Sequence, residues 1–195
     1  MKKLMLATTL ALMPCFSQAA VVFSDNFNTD VLALNQTTFV GGWSVTGTGT
    51  VDLIGNPNFF DLLPGNGRYV DLDGSTGDAG GFDKQLGLAA ATNYTLSFDL
   101  AGSQRGGSET VNVIFGTASQ TFTLNSTDPF ATHTLSFTTN GNANYQIFFK
   151  NAGGDNVGAL LDNVKVTSAV PEPESYAMML AGLGLMGLMS RRRRS

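Results

Sequence analysis

The chain has 195 residues, of which 43% are hydrophobic and 13% charged, and its formal net charge is −4 at pH 7. Between residues 20 and 169 the imbalance is larger, because 5 basic residues face 13 acidic ones and leave a charge of −8. A nucleic acid is therefore not expected as a partner, since phosphate binding needs a basic surface. The acidic residues are 12 aspartates and one glutamate. Aspartate in segments rich in glycine and asparagine is typical of loops and of metal sites built from oxygen ligands.

Residues 1–20 predict a secretory signal peptide. Two lysines precede an apolar stretch over residues 4–16, and small residues end the segment at Ala19 and Ala20. This order indicates export through the Sec translocon, with cleavage after Ala19 or Ala20. The only cysteine, Cys15, lies inside the segment. The mature protein therefore has no disulfide, although its compartment would permit one.

Residues 21–168 predict a single all-β domain. In residues 94–101, Leu96, Phe98 and Leu100 alternate with polar residues, which is the period of a half-buried strand. Further strands are predicted at residues 42–46, 51–54, 68–72, 81–86, 110–115, 121–124, 133–138, 145–150 and 158–167. Gly-Asn, Asp-Gly and Gly-Gly turn signals separate these segments. Many short strands predict a two-sheet antiparallel β-sandwich, and their sequential pairing favours a jelly roll.

The first and last predicted strands contain a candidate metal site. A period of two places Asp162 on the same face as Val164 and Val166, in phase with the core. A buried carboxylate is costly unless it is paired or bound to a metal. The first and last strands of a jelly roll commonly lie side by side, so we expect Asp25, Asn26 and Asp162 to meet and, with backbone carbonyls, to bind Ca²⁺. The alternative is that backbone N–H groups satisfy Asp162 without a metal.

A loop between two prolines contains a candidate sugar-binding surface, because aromatic faces stack on sugar rings. Phe59 and Phe60 are adjacent in this loop. Consecutive side chains of an extended chain point to opposite sides, so we expect one of the two rings to be exposed. Asp61 and Tyr69 complete the predicted set. Trp43, which begins a strand after two glycines, is predicted to pack in the core instead.

The sequence contains no convincing catalytic constellation, and we expect no enzyme. His133 is the only histidine, and alone it makes neither a zinc site nor a catalytic triad. A glycosidase needs two carboxylates facing each other across a sugar. In a chain this rich in aspartate any two acids could be paired, and the one domain glutamate, Glu109, lies in a turn of glycine and serine. A glycoside hydrolase is therefore the distant alternative.

The C-terminal segment predicts an anchor. An extended linker over residues 169–175 leads into an uncharged apolar run of 15 residues, 176–190, and four arginines follow. We expect a transmembrane helix within residues 176–195, with the arginines in the cytoplasm and the domain outside the inner membrane. The run is shorter than the roughly 20 residues that span a bilayer, which suits a temporary anchor. The residues that define this segment are Pro171, Glu172, Pro173, Arg191, Arg192, Arg193 and Arg194.

The order of Val-Pro-Glu-Pro, a glycine-rich apolar run and an arginine cluster resembles the PEP-CTERM sorting signal of Gram-negative bacteria. The resemblance implies recognition by an exosortase, a membrane protease-transpeptidase that processes the chain near the Pro-Glu-Pro motif. It also implies transient attachment to the inner membrane and then a place at the cell surface or in the extracellular matrix of a biofilm. The alternative is an ordinary C-terminal anchor.

Four strand motifs carry a second resemblance: WSVTGTGTVDLI at residues 43–54, GRYVDLDG at 67–74, YTLSFDLAG at 94–102 and the closing GALLDNVKV. Together they resemble the choice-of-anchor C family of secreted bacterial β domains, which are similar to galactose-binding-like carbohydrate-binding modules. The resemblance implies a jelly roll, often with structural calcium, and no particular ligand. We therefore expect a sorted, non-catalytic surface or matrix protein with a calcium-stabilised domain. The alternative is a carbohydrate-binding module for exopolysaccharide.

Overall fold

A computed structural model of the protein describes residues 19–57, 59–169 and 173–192. The predicted signal peptide lies outside these ranges except for its last two residues. Pro171, Glu172, Arg193 and Arg194 of the predicted sorting signal also lie outside them. Residues 19–169 belong to one structural unit, and the C-terminal segment belongs to another.

The alternating apolar and polar residues of the domain form β-strands. The strands are β1 (Ala20–Asp25), β2 (Ala33–Gln36), β3 (Ser44–Thr46), β4 (Val51–Gly55), β5 (Arg68–Asp71), β6 (Gly81–Leu88), β7 (Asn93–Ala101), β8 (Ser108–Phe115), β9 (Ala118–Asn125), β10 (Ala131–Thr138), β11 (Ala143–Asn151) and β12 (Leu160–Ser168). Each predicted strand is present, and the predicted all-β class is confirmed.

The strands pair antiparallel in two sheets. The larger sheet has the order β10-β7-β12-β5-β4-β2, and β1 also pairs with β12. The beginning of β12 pairs with β5 at Leu160 and Leu161, whereas its later residues pair with β1. The smaller sheet has the order β3-β6-β11-β8-β9. The expected contact of the first and last strands is confirmed, because Asp25 lies opposite Val164.

Aromatic side chains fill much of the space between the sheets. Trp43 is only 2% exposed and stacks on Phe82, with ring centroids 4.4 Å apart and planes 7° apart. Phe27 and Phe39 contact the same Phe82 ring. Such rings bury large apolar areas and hold the two sheets together without a disulfide. The prediction that Trp43 is a core residue is confirmed.

A bulge in β12 changes which side chains face the core. Asp162 lies opposite Asp99 of β7, and the register between the two strands shifts immediately after this pair. Asn163 occupies the bulge with φ 50°, so Leu161 and Val164 both pack in the core although three positions separate them. Residues that lie directly opposite each other on paired strands point to the same face of the sheet. Asp99 alternates with core residues of β7 and so points away from the core, and Asp162 therefore does the same. The predicted face of Asp162 is therefore wrong, because the extra residue reverses the alternation.

The C-terminal segment forms the helix α1 (Pro173–Arg192). Its described apolar side chains are more than half exposed, among them Met178, Leu183 and Met189. No helix in the described part of the chain is long and apolar enough to cross a membrane. The transmembrane helix predicted from the sequence is thus not confirmed. The uncharged run of 15 residues falls short of the roughly 20 residues that span a bilayer.

Candidate functional site

A pocket of about 210 Å³ lies on the outer face of the larger sheet, away from the smaller sheet. Asp52 and Ile54 of β4 alternate with the core residues Val51 and Leu53, so they face this pocket. We call it the aromatic pocket. Its lining residues are Leu34, Asp52, Ile54, Phe60, Leu62, Asp71, Ser75, Arg105 and Asn156.

Phe60 supplies an exposed aromatic ring to this pocket. Its side chain is 59% exposed, and Phe59 supports it edge-on with ring centroids 5.2 Å apart. The backbone of Phe60 has φ 51°, a region that costs roughly 1–2 kcal/mol for a residue other than glycine. Neither burial nor backbone preference therefore favours phenylalanine at this position. Strain of this kind is often found at ligand-binding sites.

An ion pair between a buried carboxylate and a partly exposed guanidinium forms the polar wall of the aromatic pocket. Arg105 Nη2 lies 2.5 Å from Asp71 Oδ2. Asp71 is 3% exposed, and its Oδ1 accepts a hydrogen bond of 3.1 Å from the N–H of Asp73. Burial raises the pKa of Asp71 to about 8, although the Arg105 guanidinium acts to lower it. The Arg105 side chain is 33% exposed, so its remaining N–H donors can reach a bound molecule.

Asp52 fixes the rim of the pocket. Its Oδ1 accepts hydrogen bonds from the N–H of Asn35 (2.7 Å) and of Ser75 (3.2 Å), and its Oδ2 accepts one from Ser75 Oγ (2.6 Å). Asp52 also lies directly opposite Asp71 across β4 and β5. The pocket therefore combines an aromatic face with a guanidinium, carboxylates, a hydroxyl and the Asn156 amide. These are the groups that bind the faces and hydroxyls of sugars.

The four residues predicted to bind sugar have different positions. Phe60 lines the pocket, and Phe59 is partly buried behind it. Tyr69 is fully buried. Its hydroxyl donates to Asp61 Oδ1 (3.0 Å) and accepts from the N–H of Leu63 (2.8 Å). No face of the Tyr69 ring is therefore available to a sugar, so its predicted role in sugar binding is wrong. Burial raises the pKa of the Tyr69 hydroxyl to about 12. Tyr69 and Asp61 instead hold the loop that presents Phe60.

A second depression of about 640 Å³, the polar groove, lies on the same face over β10, β7, β12 and β1. Asp99 accepts hydrogen bonds there from Thr132 Oγ1 (2.6 Å) and Asn163 Nδ2 (2.9 Å). None of the described residues that line the groove is aromatic, so they offer hydrogen bonds but no stacking face. Its lining residues are Ser24, Asp25, Asn26, Thr29, Ser97, Asp99, Thr132, Asn163, Val164 and Lys165.

Two of the predicted calcium ligands, Asp25 and Asn26, line this groove. Asp162 is 3% exposed, and its Oδ1 accepts a 2.7 Å hydrogen bond from the N–H of Asn163. Burial raises the pKa of Asp162 to about 7, and the charges of Asp99 and Asp25 act in the same direction. Asp25 is thus one of the carboxylates whose charge acts on Asp162, and calcium binding by these residues stays a prediction.

Some of the side-chain oxygens predicted to bind Ca²⁺ already accept hydrogen bonds from other groups of the protein. Asp25 accepts hydrogen bonds from the N–H of Phe27 (2.9 Å) and from Trp43 Nε1 (3.0 Å), and Asn26 Oδ1 accepts one from the N–H of Asn28 (3.3 Å). Within residues 19–57, 59–169 and 173–192, no group of three or more His, Cys, Asp or Glu is placed to hold a metal ion. A cation here would therefore depend on amide, carbonyl or water oxygens as well.

Sequence reasoning missed Asp52, Asp71 and Arg105. A usable signal was the recurrence of Val-Asp-Leu at residues 51–53 and 70–72, which places a carboxylate at an outward position of each strand.

Glu109 was expected in a turn but lies near the start of β8. It is 8% exposed and accepts a 3.1 Å hydrogen bond from Asn151 Nδ2. His133 packs against Phe122, with ring centroids 4.7 Å apart, and burial lowers its pKa.

Two solved structures with a similar fold are described as CBM22 domains. One is the CBM22-1 xylan-binding domain from Paenibacillus barcinonensis Xyn10C, with a TM-score of 0.56 and 10% identity over 80% of this chain and 99% of that chain. Another is the N-terminal CBM22-1-CBM22-2 tandem domain of the same Xyn10C, with a TM-score of 0.53 and 14% identity over 83% of this chain and 48% of that chain. The domain is thus a two-sheet sandwich that resembles the jelly roll of these modules.

Two family models match the chain. Residues 20–167 match the family described as "Protein of unknown function (DUF642)", and the chain belongs to this family. Residues 169–194 match the PEP-CTERM protein-sorting motif, which confirms the sorting signal recognised in the sequence. A comparison with curated protein sequences found no match.

The buried Asp162 leads to a prediction about pH. Its pKa is raised in the folded state from 3.8 to about 7, so folding favours the protonated form. The stability that comes from this preference for the protonated carboxyl is complete below the pKa of Asp162 in the unfolded chain. It is lost as the pH rises through the pKa of Asp162 in the folded chain. In a chelating buffer near pH 8 we expect the free energy of unfolding of Asp162→Asn to exceed that of the unaltered chain by roughly 1–3 kcal/mol, so that it unfolds at a higher temperature. Near pH 4 we expect no such gain. Thermal unfolding followed by circular dichroism measures this difference.

Asp78→Asn is the matched control, because Asp78 is an exposed aspartate of the same domain. It should leave the pH dependence of unfolding unchanged. A melting temperature for Asp162→Asn near pH 8 that is no higher than that of the unaltered chain would contradict the prediction, since it would mean that the buried charge does not destabilise the fold.

Proposed function

We propose that this protein is an exported, non-catalytic carbohydrate-binding module that binds exopolysaccharide at the cell surface or in the extracellular matrix. The observation that carries the proposal is the exposed Phe60 ring beside the ion pair of buried Asp71 and partly exposed Arg105 in one pocket. The similar fold of a domain described as xylan-binding supports it. The distant alternative of a glycoside hydrolase has no comparable support, because the two similar structures are described as a xylan-binding domain and a tandem CBM22 domain.

In this proposal the aromatic pocket binds a sugar by stacking and by directed hydrogen bonds. The Phe60 ring covers the apolar face of one sugar residue, an interaction that needs no particular hydroxyl pattern. Arg105 donates to ring or hydroxyl oxygens, and Asp71 holds the guanidinium in place. Asn156 both donates and accepts at the pocket edge. Because the guanidinium is paired and the domain is strongly acidic, we expect a neutral polysaccharide rather than one rich in carboxylates.

The sorting motif supports the proposed location. A PEP-CTERM motif implies export, processing by an exosortase and delivery to the surface or the matrix. We propose that Sec-dependent export precedes a brief stay at the inner membrane of a Gram-negative bacterium, and that processing then releases the domain. Binding to exopolysaccharide would retain the processed domain in the matrix, including that of a biofilm, once the tail no longer anchors it.

Loss of the Phe60 ring should weaken sugar binding. We expect Phe60→Asn to bind the best ligand from a glycan array about tenfold more weakly, because a stacked aromatic contributes on the order of 1–1.5 kcal/mol. Asparagine adopts the left-handed backbone of Phe60 readily, so the fold should be unaffected. Isothermal titration calorimetry with that glycan measures the loss, and Arg105→Gln should cause a further loss.

Val40→Ala is the matched control, since Val40 is also an exposed apolar residue, at 75%, but lies outside the pocket lining. It should bind the glycan normally. Normal binding by Phe60→Asn would overturn the proposed site, and if Asp99→Asn then abolished binding, the polar groove would be the sugar site. Absence of any glycan ligand on the array would contradict the function itself.

Replacing Arg191, Arg192, Arg193 and Arg194 with glutamine should impair membrane retention and processing of the tail. A positive cluster keeps the end of the chain on the cytoplasmic side, and without it the processing site is not held at the membrane. Immunoblots of cell fractions measure the ratio of unprocessed to processed chain. Lys150→Gln, which removes an exposed cation from the domain, is the control. Unchanged processing in the arginine variant would contradict the sorting role.

We also propose that Ca²⁺ binds at Asp162 and Asp25, with Asn26 and backbone oxygens completing the site. The proposal rests on the closeness of two carboxylates, one of them buried, with a raised pKa for Asp162. A cation that binds only the folded state stabilises it by about 2.7 kcal/mol at a hundredfold excess over its Kd. Added Ca²⁺ should therefore raise the melting temperature of the unaltered chain, and Asp162→Asn should lose that part of the rise. An identical rise in both proteins would contradict calcium binding at this position.

A further inference from the structure

A group of buried carboxylates lies at one end of the sandwich, apart from the predicted calcium ligands. The chain leaving β5, the start of β8 and the connection from β11 to β12 meet there. Asp71 is 3% exposed, Asp73 0% and Glu109 8%. Arg105 is the basic residue whose charge acts on all three. Three buried carboxylates with one partly exposed guanidinium leave negative charge uncompensated, which is unfavourable away from water.

Asp73 has an unsatisfied oxygen in this group. Its Oδ2 accepts a 3.1 Å hydrogen bond from the N–H of Gly154. Its Oδ1 is buried and has no hydrogen-bond partner among the described residues. Burial raises the pKa of Asp73, although the backbone N–H groups of Gly154 and Asp155 act to lower it. A buried carboxylate oxygen without a donor is rare in native proteins and indicates a missing partner.

The loop after β11 packs closely against the Asp73 carboxylate. Gly153 has φ 54°, and a Cβ at this position would lie 3.2 Å from Asp73 Oδ2 and closer still to Ala79, so only glycine lets the loop close over the carboxylate. Across from the loop, Asn151 Nδ2 donates to Glu109 Oε2 (3.1 Å), and Asn151 Oδ1 accepts from the N–H of Ala159 (3.4 Å). Asn151 therefore holds Glu109 in place, and the charge of Asp73 acts on Glu109.

We propose that a divalent cation, Ca²⁺, binds at this end of the sandwich between the Asp73 and Glu109 carboxylates. Asp73 Oδ1 supplies the oxygen that lacks a donor, and Glu109 supplies a second carboxylate from the other sheet. No set of three or more acidic, His or Cys side chains in the described ranges is placed around one ion, so backbone carbonyl and water oxygens complete the shell, as is common for Ca²⁺. Because Asp73 follows β5 and Glu109 begins β8, the ion links the two sheets where no disulfide does.

Counting bound ions in the full chain tests this site. Equilibrium dialysis and calorimetry with Ca²⁺ alone should find one ion fewer per chain in Asp73→Asn, or at least a tenfold weaker Kd for that ion. In a chelating buffer, Asp73→Asn should melt at or above the temperature of the unaltered chain, because it removes an uncompensated charge. Glu109→Gln should lose the same ion and gives a second measurement if Asp73→Asn folds poorly.

Two variants distinguish this site from the calcium site at Asp162 and from a general effect of surface charge. Asp162→Asn should keep the Asp73 ion, because the carboxylates that act on Asp162 are Asp99 and Asp25. The exposed Asp78→Asn should bind as the unaltered chain does. Unchanged Ca²⁺ binding in both Asp73→Asn and Glu109→Gln would overturn the proposal. So would a complete absence of Ca²⁺ binding by the unaltered chain, which would indicate that protons balance the buried charge.

Discussion

Folding removes several carboxylates of this domain from water, and each of them needs hydrogen-bond donors or a positive charge. Asp52 meets the requirement with two backbone N–H groups and the Ser75 hydroxyl. Asp71 meets it with Arg105, and the geometry of that pair creates the polar wall of the aromatic pocket. Asp73 and Asp162 meet it only in part. The same constraint thus accounts for the rigid rim of the pocket and for the two places where a cation would be favourable.

The fold could be predicted well because its signals are local. Alternation in residues such as Leu96, Phe98 and Leu100 depends on a two-residue period, and glycine-containing turns separate the strands. The adjacency of the first and last strands also followed from the fold class. The bulge at Asn163 could not be predicted, because it depends on how β12 fits against β7 and leaves no mark in the hydrophobic pattern. One inserted residue was enough to move Asp162 from the core face to the outer face.

The candidate site was harder to predict because it depends on contacts between distant segments. The sequence placed an exposed aromatic in the loop, and Phe60 is that residue. The sequence could not show that Phe60 is exposed whereas Tyr69 is buried. The Tyr69 ring packs against Phe130, with ring centroids 5.6 Å apart. Arg105 lies 34 positions from Asp71. A pairing over that distance is set by the sheet topology rather than by any local pattern, so composition alone gave no reason to select this arginine.

The pocket and the group of buried carboxylates share Asp71, and this links binding chemistry to stability. Its Oδ2 holds Arg105 toward the pocket, while its Oδ1 accepts from the N–H of Asp73 at the end of the sandwich. A change in charge at Asp73 therefore acts on the same short segment that positions the guanidinium. In an exported domain without disulfides, an ion at Asp73 would stiffen this segment and lower the entropy lost when Arg105 engages a ligand. The aromatic core holds the two sheets together, but the carboxylates determine how rigidly the hydrogen-bond donors of the outer face are held in position.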